Sequence, residues 1–410
     1  MTRVAITGIG CVTPIGTGID ELDAGIGRRE SAVRTITRFD PSPFRSRIAG
    51  EIPDFRPVDH LTKRSLKRMD RFSQLGVTAA RLALQDAGID PKQADRDRFG
   101  VMMGSALGGI AFGEEQANRF RQGGLRQVEA HLALSVFGGA VSCNIAIEWG
   151  LTGPNMTNAM SCASGTVAIG DGLRAIRDGH ADLMLAGGSE APLSPLCFAS
   201  FTVIRAMSTR NDDPATASRP FDKDRDGFVM GEGSAVLVLE RYDRAEARGA
   251  RIYAELLGYG LTNDGYHMTA PKPDGREAGR AMSLALSDAK VTPADIDYIN
   301  AHGSSTRLND STETNAIKRV FNEHAFNVAV SSTKGFYGHA LGASGAIEAA
   351  ICASAIRRQE LPPSLNLHEA DAACDLRYLT NGNGPETTTH VLSNSFGFGG
   401  VNAALVFRAA

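Results

Sequence analysis

Asn158-Ala-Met-Ser-Cys-Ala-Ser-Gly-Thr166 places Cys162 at the joint between a strand-like stretch and a glycine-punctuated helix. The same Ala-Ser-Gly triplet recurs at Ala343-Ser-Gly345, just after His339. In the first case a helix is expected to run to about Asp178, and in the second to about Arg358. Each presents a face containing isoleucine and alanine, and each opens with residues small enough for close helix packing. Such a repeat predicts two related α/β halves facing each other, residues 1–250 carrying Cys162 and residues 251–410 carrying the later histidines. No Pro/Ser-rich linker or charged block divides them, so one compact body is expected.

The surrounding sequence supports an α/β chain. Leu183-Met-Leu-Ala-Gly-Gly188 and Ala235-Val-Leu-Val-Leu239 have the composition of strands buried on both faces, and Met1 to Gly10 leads into a first buried strand. Apolar residues recur at helical spacing from Arg71 to Ala87, and Gly88 supplies the stop. At 410 residues and 42% hydrophobic, the chain is long enough for a large shared core. A net charge of −3 gives no reason to expect nucleic acid or a membrane surface as a bulk partner. No apolar run approaches the roughly 20 residues of a spanning helix, and the N-terminus lacks a signal-peptide layout. The six cysteines (11, 143, 162, 197, 352 and 374) show no C-x-x-C pairing, so free thiols in a reducing cytoplasm are expected.

A cysteine attacks an acyl carbonyl as its thiolate, and a helix N-terminus favours that form. Cys162 has this setting, and its own N–H is available to an oxyanion. The other five cysteines lie in ordinary apolar surroundings and read as packing. His302 in Asn300-Ala-His-Gly-Ser-Ser-Thr306 and His339 in Ser332-Thr-Lys-Gly-Phe-Tyr-Gly-His339 each follow a strand-like stretch and sit in small-residue loops. Lys334 lies five residues before His339. A protease would need one histidine as base and a third residue to orient it. Two imidazoles and a lysine fit enolate stabilisation better, so the constellation points to acyl-thioester chemistry. Of the other histidines only His267, in Asp264-Gly-Tyr-His-Met-Thr-Ala-Pro271, has a suggestive setting. Ser393-Asn-Ser-Phe-Gly-Phe-Gly-Gly-Val-Asn402 reads as a glycine-hinged gate bearing bulky apolar side chains over an acyl pocket.

Together these residues resemble the elongating β-ketoacyl-acyl carrier protein synthases, most of all the kind known as synthase II. Val4–Gly10, Met69-Asp-Arg-Phe72, Leu185-Ala-Gly-Gly-Ser-Glu-Ala191, Ser218-Arg-Pro-Phe-Asp222, Arg225–Gly233 and Asn394–Gly400 carry the resemblance across essentially the whole chain. It implies the thiolase fold, a five-layered αβαβα body of two similar α/β halves. It also implies that Cys162 accepts the growing acyl chain, while His302 and His339 assist decarboxylation of malonyl-carrier. Lys334 would hold the polar network with Asp310 or Glu313, and the N–H groups of Cys162 and Phe398 would form the oxyanion hole.

Leu107, Phe201 and Phe398 match positions that shape the acyl pocket. Loops 264–271 and 396–402, with His267, Thr269 and Phe396, match the gating loops. Arg64, Lys67, Arg68, Arg126 and Arg205 match basic positions that meet an acidic carrier protein. The partners implied are acyl- and malonyl-loaded acyl carrier protein and a second copy of the chain, or a chain-length subunit in its place. No cofactor or catalytic metal is implied; a structural cation near Glu348 and Ser393-Asn394 is left open.

The chain departs from the pattern at Gly399-Gly-Val-Asn402, where threonine usually precedes the asparagine, and at Met160-Ser161, where Thr-Ala is commoner. Gly335-Phe-Tyr337 is also bulky for the turn before His339. These departures keep a discrete polyketide or polyene ketosynthase in play. A degradative thiolase would need a second catalytic cysteine, which Cys374 lacks the context to supply. The initiating synthases pair a histidine with an asparagine, and a non-catalytic chain-length subunit lacks the nucleophile.

Overall fold

The computed structural model describes residues 2–380, 384–385 and 387–410. Two series of strands with the same plan form its frame. In the first, Asn155–Asn158, Phe99–Gly104, Leu183–Glu190, Gly233–Arg241 and Val4–Thr13 lie side by side. In the second, the order is Ala329–Ser331, Tyr298–Asn300, His390–Gly397, Val401–Arg408 and Ala254–Asn263. In both series the first three strands are parallel and the last two are added antiparallel. The series meet where Ala5 and Ile6 pair with Glu255 and Ala254, so the hydrogen-bonded sheet is continuous through both.

Helices cover this frame in layers. Ser164–Arg177 and Ser344–Arg358 pack between the two series, in a core cluster that draws Val167, Ile169 and Leu173 against Ile347, Ala350 and Leu405. Arg71–Asp86 and Ala140–Trp149 cover the outer face of the first series. Arg276–Ala289 and Arg307–Phe321 cover that of the second. Helix, sheet, helix, sheet and helix therefore stack as five layers.

The small residues of the repeat explain the central packing. A Cβ on Gly345 would lie 1.9 Å from Thr166 Oγ1, and one on Gly165 would lie 2.8 Å from the Ala346 nitrogen. Only glycine at both positions lets the two helices approach so closely. Each helix is preceded by a single 3-10 turn, Ser161–Ala163 and Leu341–Ala343. Each turn opens on a non-glycine residue with positive φ, Ser161 at 53° and Leu341 at 42°. Such a conformation costs about 1–3 kcal/mol and persists only where the surroundings impose it.

Candidate active site

Cys162 occupies the middle of the first turn, at the N-terminal end of the buried helix Ser164–Arg177. The hairpin turn after Phe396 crosses above it, and a Cβ on Gly397 would come 3.1 Å from the Cys162 nitrogen. The Phe398 N–H is directed at the Cys162 sulfur. His302 follows the strand Tyr298–Asn300, and His339 follows the short helix Lys334–Tyr337. Their rings meet edge to face with centroids 5.2 Å apart. Cys162, His302 and His339 line one cavity of about 330 Å³, with Phe201, Phe228, Phe396 and Phe398 among its walls. Four segments between residues 162 and 398 therefore bring a thiol, two imidazoles and an oxyanion-type donor together in a mainly apolar chamber.

Electrostatics fix the resting protonation states. Burial pushes the Cys162 thiol up to about 11, against the opposing pull of the Lys334 ammonium and the Phe398 N–H. This corrects the expectation of a thiolate: the helix N-terminus acts locally, and burial outweighs it. At pH 7 the resting Cys162 is therefore a thiol. Burial, reinforced by the Lys334 charge, holds both His302 and His339 well below the ordinary histidine range. Both rings are therefore neutral near pH 7, each with a single ring proton to place.

The partner of Lys334 is also a correction. Its ammonium is fully buried, donates to the His302 carbonyl oxygen at 2.6 Å and pairs with Glu348, not with Asp310 or Glu313. Glu313 instead accepts from the backbone N–H groups of His302 and Gly303 at 2.9 and 2.8 Å, which fixes the histidine loop. Asp310 accepts from the Phe221 N–H at 2.9 Å and lies 3.6 Å from the Arg225 guanidinium. All three acids are fully buried supports, and Asn309 Nδ2 bridges Asp310 and Glu313. Burial pushes Glu348 up to about 7 against the pull of Lys334, and raises Glu313 to about 7 as well.

The remaining candidates divide. Phe201, Phe396, Phe398, Thr269 and Arg205 line the cavity. Leu107 packs in the same apolar cluster as Cys162 but does not line the cavity; its N–H donates to buried Glu190. His267 is exposed, and its Nδ1 accepts from the N–H groups of Thr269 and Ala270, so it shapes its loop from outside the chamber. The two loops expected to gate the site are bonded to each other. Asp264 N–H donates to the Gly400 carbonyl at 2.8 Å, Gly399 N–H to the Met268 carbonyl at 2.7 Å, and Asn402 Nδ2 to Asp264 Oδ1 at 2.7 Å. Arg64, Lys67 and Arg126 are exposed. Arg68 is half-buried and engaged by Asn144 and Glu148.

Sequence reasoning missed Glu348 as the lysine's partner and Glu190 as the anchor of loop 105–108. The signal for Glu348 was present: one acid in the otherwise small and apolar run Ser344–Ala353 has to be paired when that helix is buried. Behind it, Asn300 Oδ1, Glu348 Oε2 and Ser393 Oγ are buried without hydrogen-bond partners, whereas Asn394, next in the strand, turns to the outer face, where its Nδ2 donates to Glu313 at 3.2 Å. Asn300 and Ser393 are direct neighbours in the parallel strand register. One carboxylate and two neutral oxygens on this face are donors suited to a hard cation, which would brace this wall electrostatically.

A nucleophile turn, two neutral histidines and a buried lysine in five alternating layers define a thioester-condensing enzyme of the thiolase fold. The chain belongs to the β-ketoacyl synthase family: residues 1–245 match its N-terminal domain and residues 253–368 its C-terminal domain. It is 45% identical over 406 residues to the 3-oxoacyl-[acyl-carrier-protein] synthase 2 of Synechocystis sp., spanning 99% of this chain and 98% of that one. The protein of the same name from Staphylococcus aureus is 42% identical over the same shares of both chains. A solved β-ketoacyl synthase from Burkholderia phymatum superposes with a TM-score of 0.91 at 38% identity, covering 100% of both chains. A chain of AntDE:AntF, a type II PKS acyl-carrier protein in complex with its ketosynthase, superposes at 0.92 and 36% identity, covering 100% of this chain and 99% of that one.

Proposed function

We propose that this protein lengthens acyl chains by decarboxylative Claisen condensation, holding the acyl group on Cys162 and taking two carbons from malonyl-acyl carrier protein. The observation that carries this reading is the convergence of Cys162, His302 and His339 on one largely apolar cavity, with the Phe398 N–H aimed at the sulfur.

In the first half-reaction Cys162 sulfur attacks the carbonyl of the acyl-carrier. The proton leaving the thiol goes to the departing carrier sulfur, and a neutral imidazole is within the same chamber to relay it. The oxyanion formed on the way is held by the N–H groups of Cys162 and Phe398. In the second, the carboxylate C–C bond of malonyl-carrier breaks and its electron pair moves toward the thioester carbonyl. Carbon dioxide leaves as the enolate oxygen takes hydrogen bonds from the imidazoles. Neutral rings suit this step, because each donates a proton in a hydrogen bond without having to lose a charge. The enolate carbon then attacks the Cys162-bound carbonyl, and the sulfur departs to give the β-ketoacyl-carrier. Lys334 holds the His302 backbone, and its charge reinforces the burial that keeps both rings neutral.

Arg205 at the cavity mouth, with exposed Arg64, Lys67 and Arg126, supports docking of an acidic carrier protein through electrostatic steering. A homodimer is supported by the exposed edge strand Asn155–Asn158 and the exposed apolar residues Leu134, Phe137, Ile147 and Met160 near it in sequence. A cytoplasmic site of action is supported by six unpaired cysteines. The matched strand plans support a duplication with the boundary near residue 250. The likeness to the type II PKS ketosynthase complex and to the ishigamide ketosynthase/chain length factor favours a second reading, a discrete polyketide ketosynthase in company with a chain-length subunit.

The test separates the half-reactions. Cys162→Ala should abolish self-acylation and condensation, whereas Cys162→Gln should retain malonyl decarboxylation. His302→Ala and His339→Ala should lose decarboxylation far more than self-acylation. Normal elongation by Cys162→Ala contradicts the nucleophile assignment, and equal loss of both half-reactions in the histidine variants contradicts the division of roles.

A further inference from the structure

His339 is held by one side-chain hydrogen bond: its Nδ1 lies 2.7 Å from Ser344 Oγ, with both residues buried. Ser344 is the first residue of the helix Ser344–Arg358. Its counterpart in the other half is Ser164, the first residue of the helix Ser164–Arg177. The two serines use their hydroxyls differently. Ser164 Oγ donates back to the Ser161 carbonyl at 2.7 Å, closing its own turn. Ser344 makes no such bond to Leu341, and among the described residues its hydroxyl has no acceptor other than His339 Nδ1.

A serine hydroxyl has one proton to donate, and a buried one left without an acceptor costs about 1–3 kcal/mol. If Nδ1 carried the ring proton, it would donate to Oγ and strand the serine proton. If Nδ1 is bare, the hydroxyl donates to it, both groups are satisfied, and the single proton of the neutral ring sits on Nε2. Nε2 is the nitrogen left to face the cavity. His302 has no equivalent constraint, since its Nδ1 is buried without a hydrogen-bond partner.

We propose that Ser344 is a positioning residue that sets the tautomer of His339, presenting Nε2–H to the chamber as a committed hydrogen-bond donor. The inference rests on the condensation reading, in which that donor meets the enolate oxygen. It divides the two imidazoles: His339 donates, and His302, whose tautomer nothing fixes, is free to exchange its proton. The duplicated serine has thus been diverted from closing a turn to orienting a reactive ring.

The test uses full-length protein labelled with ¹⁵N-histidine, with the His339 resonances assigned by their loss in His339→Gln. Wild type should show protonated Nε2 and bare Nδ1 at neutral pH. Ser344→Ala should show a mixture of tautomers and a roughly three- to tenfold loss of malonyl decarboxylation, the worth of one neutral hydrogen bond, with self-acylation little changed. Ser344→Thr, which keeps the hydroxyl, should restore both the spectrum and the rate. Protonated Nδ1 in wild type, a wild-type spectrum in Ser344→Ala, or equal loss of acylation and decarboxylation in that variant overturns the proposal. Failure of the wild type to decarboxylate malonyl-carrier would remove the reaction reading while leaving the tautomer result standing, so the two failures are separable.

Discussion

Replacing Lys334 by methionine keeps the length and apolar stem of the side chain but removes the ammonium that pairs with Glu348 inside the protein. In the wild type, burial has already raised Glu348 to about 7, from an unfolded value near 4.5. The folded state therefore binds more protons than the unfolded state between those values. Stability falls with rising pH through that window and levels off above about 7. Without Lys334 the carboxyl loses the ammonium that pulls it down, and the window extends upward; unpartnered buried glutamates reach pKa values of about 8–9.

Each added pH unit within the extended window costs about 1.4 kcal/mol. The variant's deficit relative to wild type should thus be small near pH 7 and grow to about 3 kcal/mol by pH 9. That approaches the roughly 3–5 kcal/mol typical of a buried pair broken on one side. Urea-unfolding free energies at pH 7, 8 and 9 measure it directly. Adding Glu348→Gln to the same chain should flatten the extra slope, because no ionisable carboxyl then remains. A deficit equal at pH 7 and pH 9, or a slope that survives in the double variant, would refute the reasoning.

Two further outcomes follow from the site. Alkylation of Cys162 by iodoacetamide should rise about tenfold per pH unit from pH 7 to pH 10, as expected of a buried thiol raised to about 11; a plateau between pH 8 and 9 would place the thiol in the ordinary range. Exchanging potassium for choline at constant ionic strength should lower the thermal midpoint of the wild type by removing a ligand of the folded state. Asn300→Ala should blunt that response, since Asn300 Oδ1 is one of the unpartnered oxygens beside Glu348. An unchanged wild-type midpoint would contradict a cation site there.

Local chemistry made the reactive residues legible in the sequence. Cys162 and His339 each precede an Ala-Ser-Gly helix start, and the small residues that permit the helices to touch are visible from residue type alone. The strands Leu183–Glu190 and Gly233–Arg241 were likewise readable as apolar runs. The helix from Arg71 ends at Asp86, one residue short of the periodic pattern, with Gly88 at φ 63° beyond it. What stayed hidden depends on tertiary distance. Lys334 and Glu348 sit on different elements, so their pairing needs the relative register of a short helix and a long one. The direction of the Leu107 and His267 side chains is set by loop paths that residue type does not encode. The ionisation of Cys162 is hidden for the same reason: a helix N-terminus can be read from sequence, whereas the burial that overrides it is a property of the assembled layers.

The central claim is tested most directly by intact mass of the enzyme and carrier protein after mixing acyl-carriers of graded length with malonyl-carrier. The account predicts an acyl mass gain on Cys162 followed by release of a β-ketoacyl-carrier two carbons longer, with the length profile distinguishing fatty-acid from polyketide use. Absence of acylation with every primer, or acylation that persists in Cys162→Ala, would contradict it.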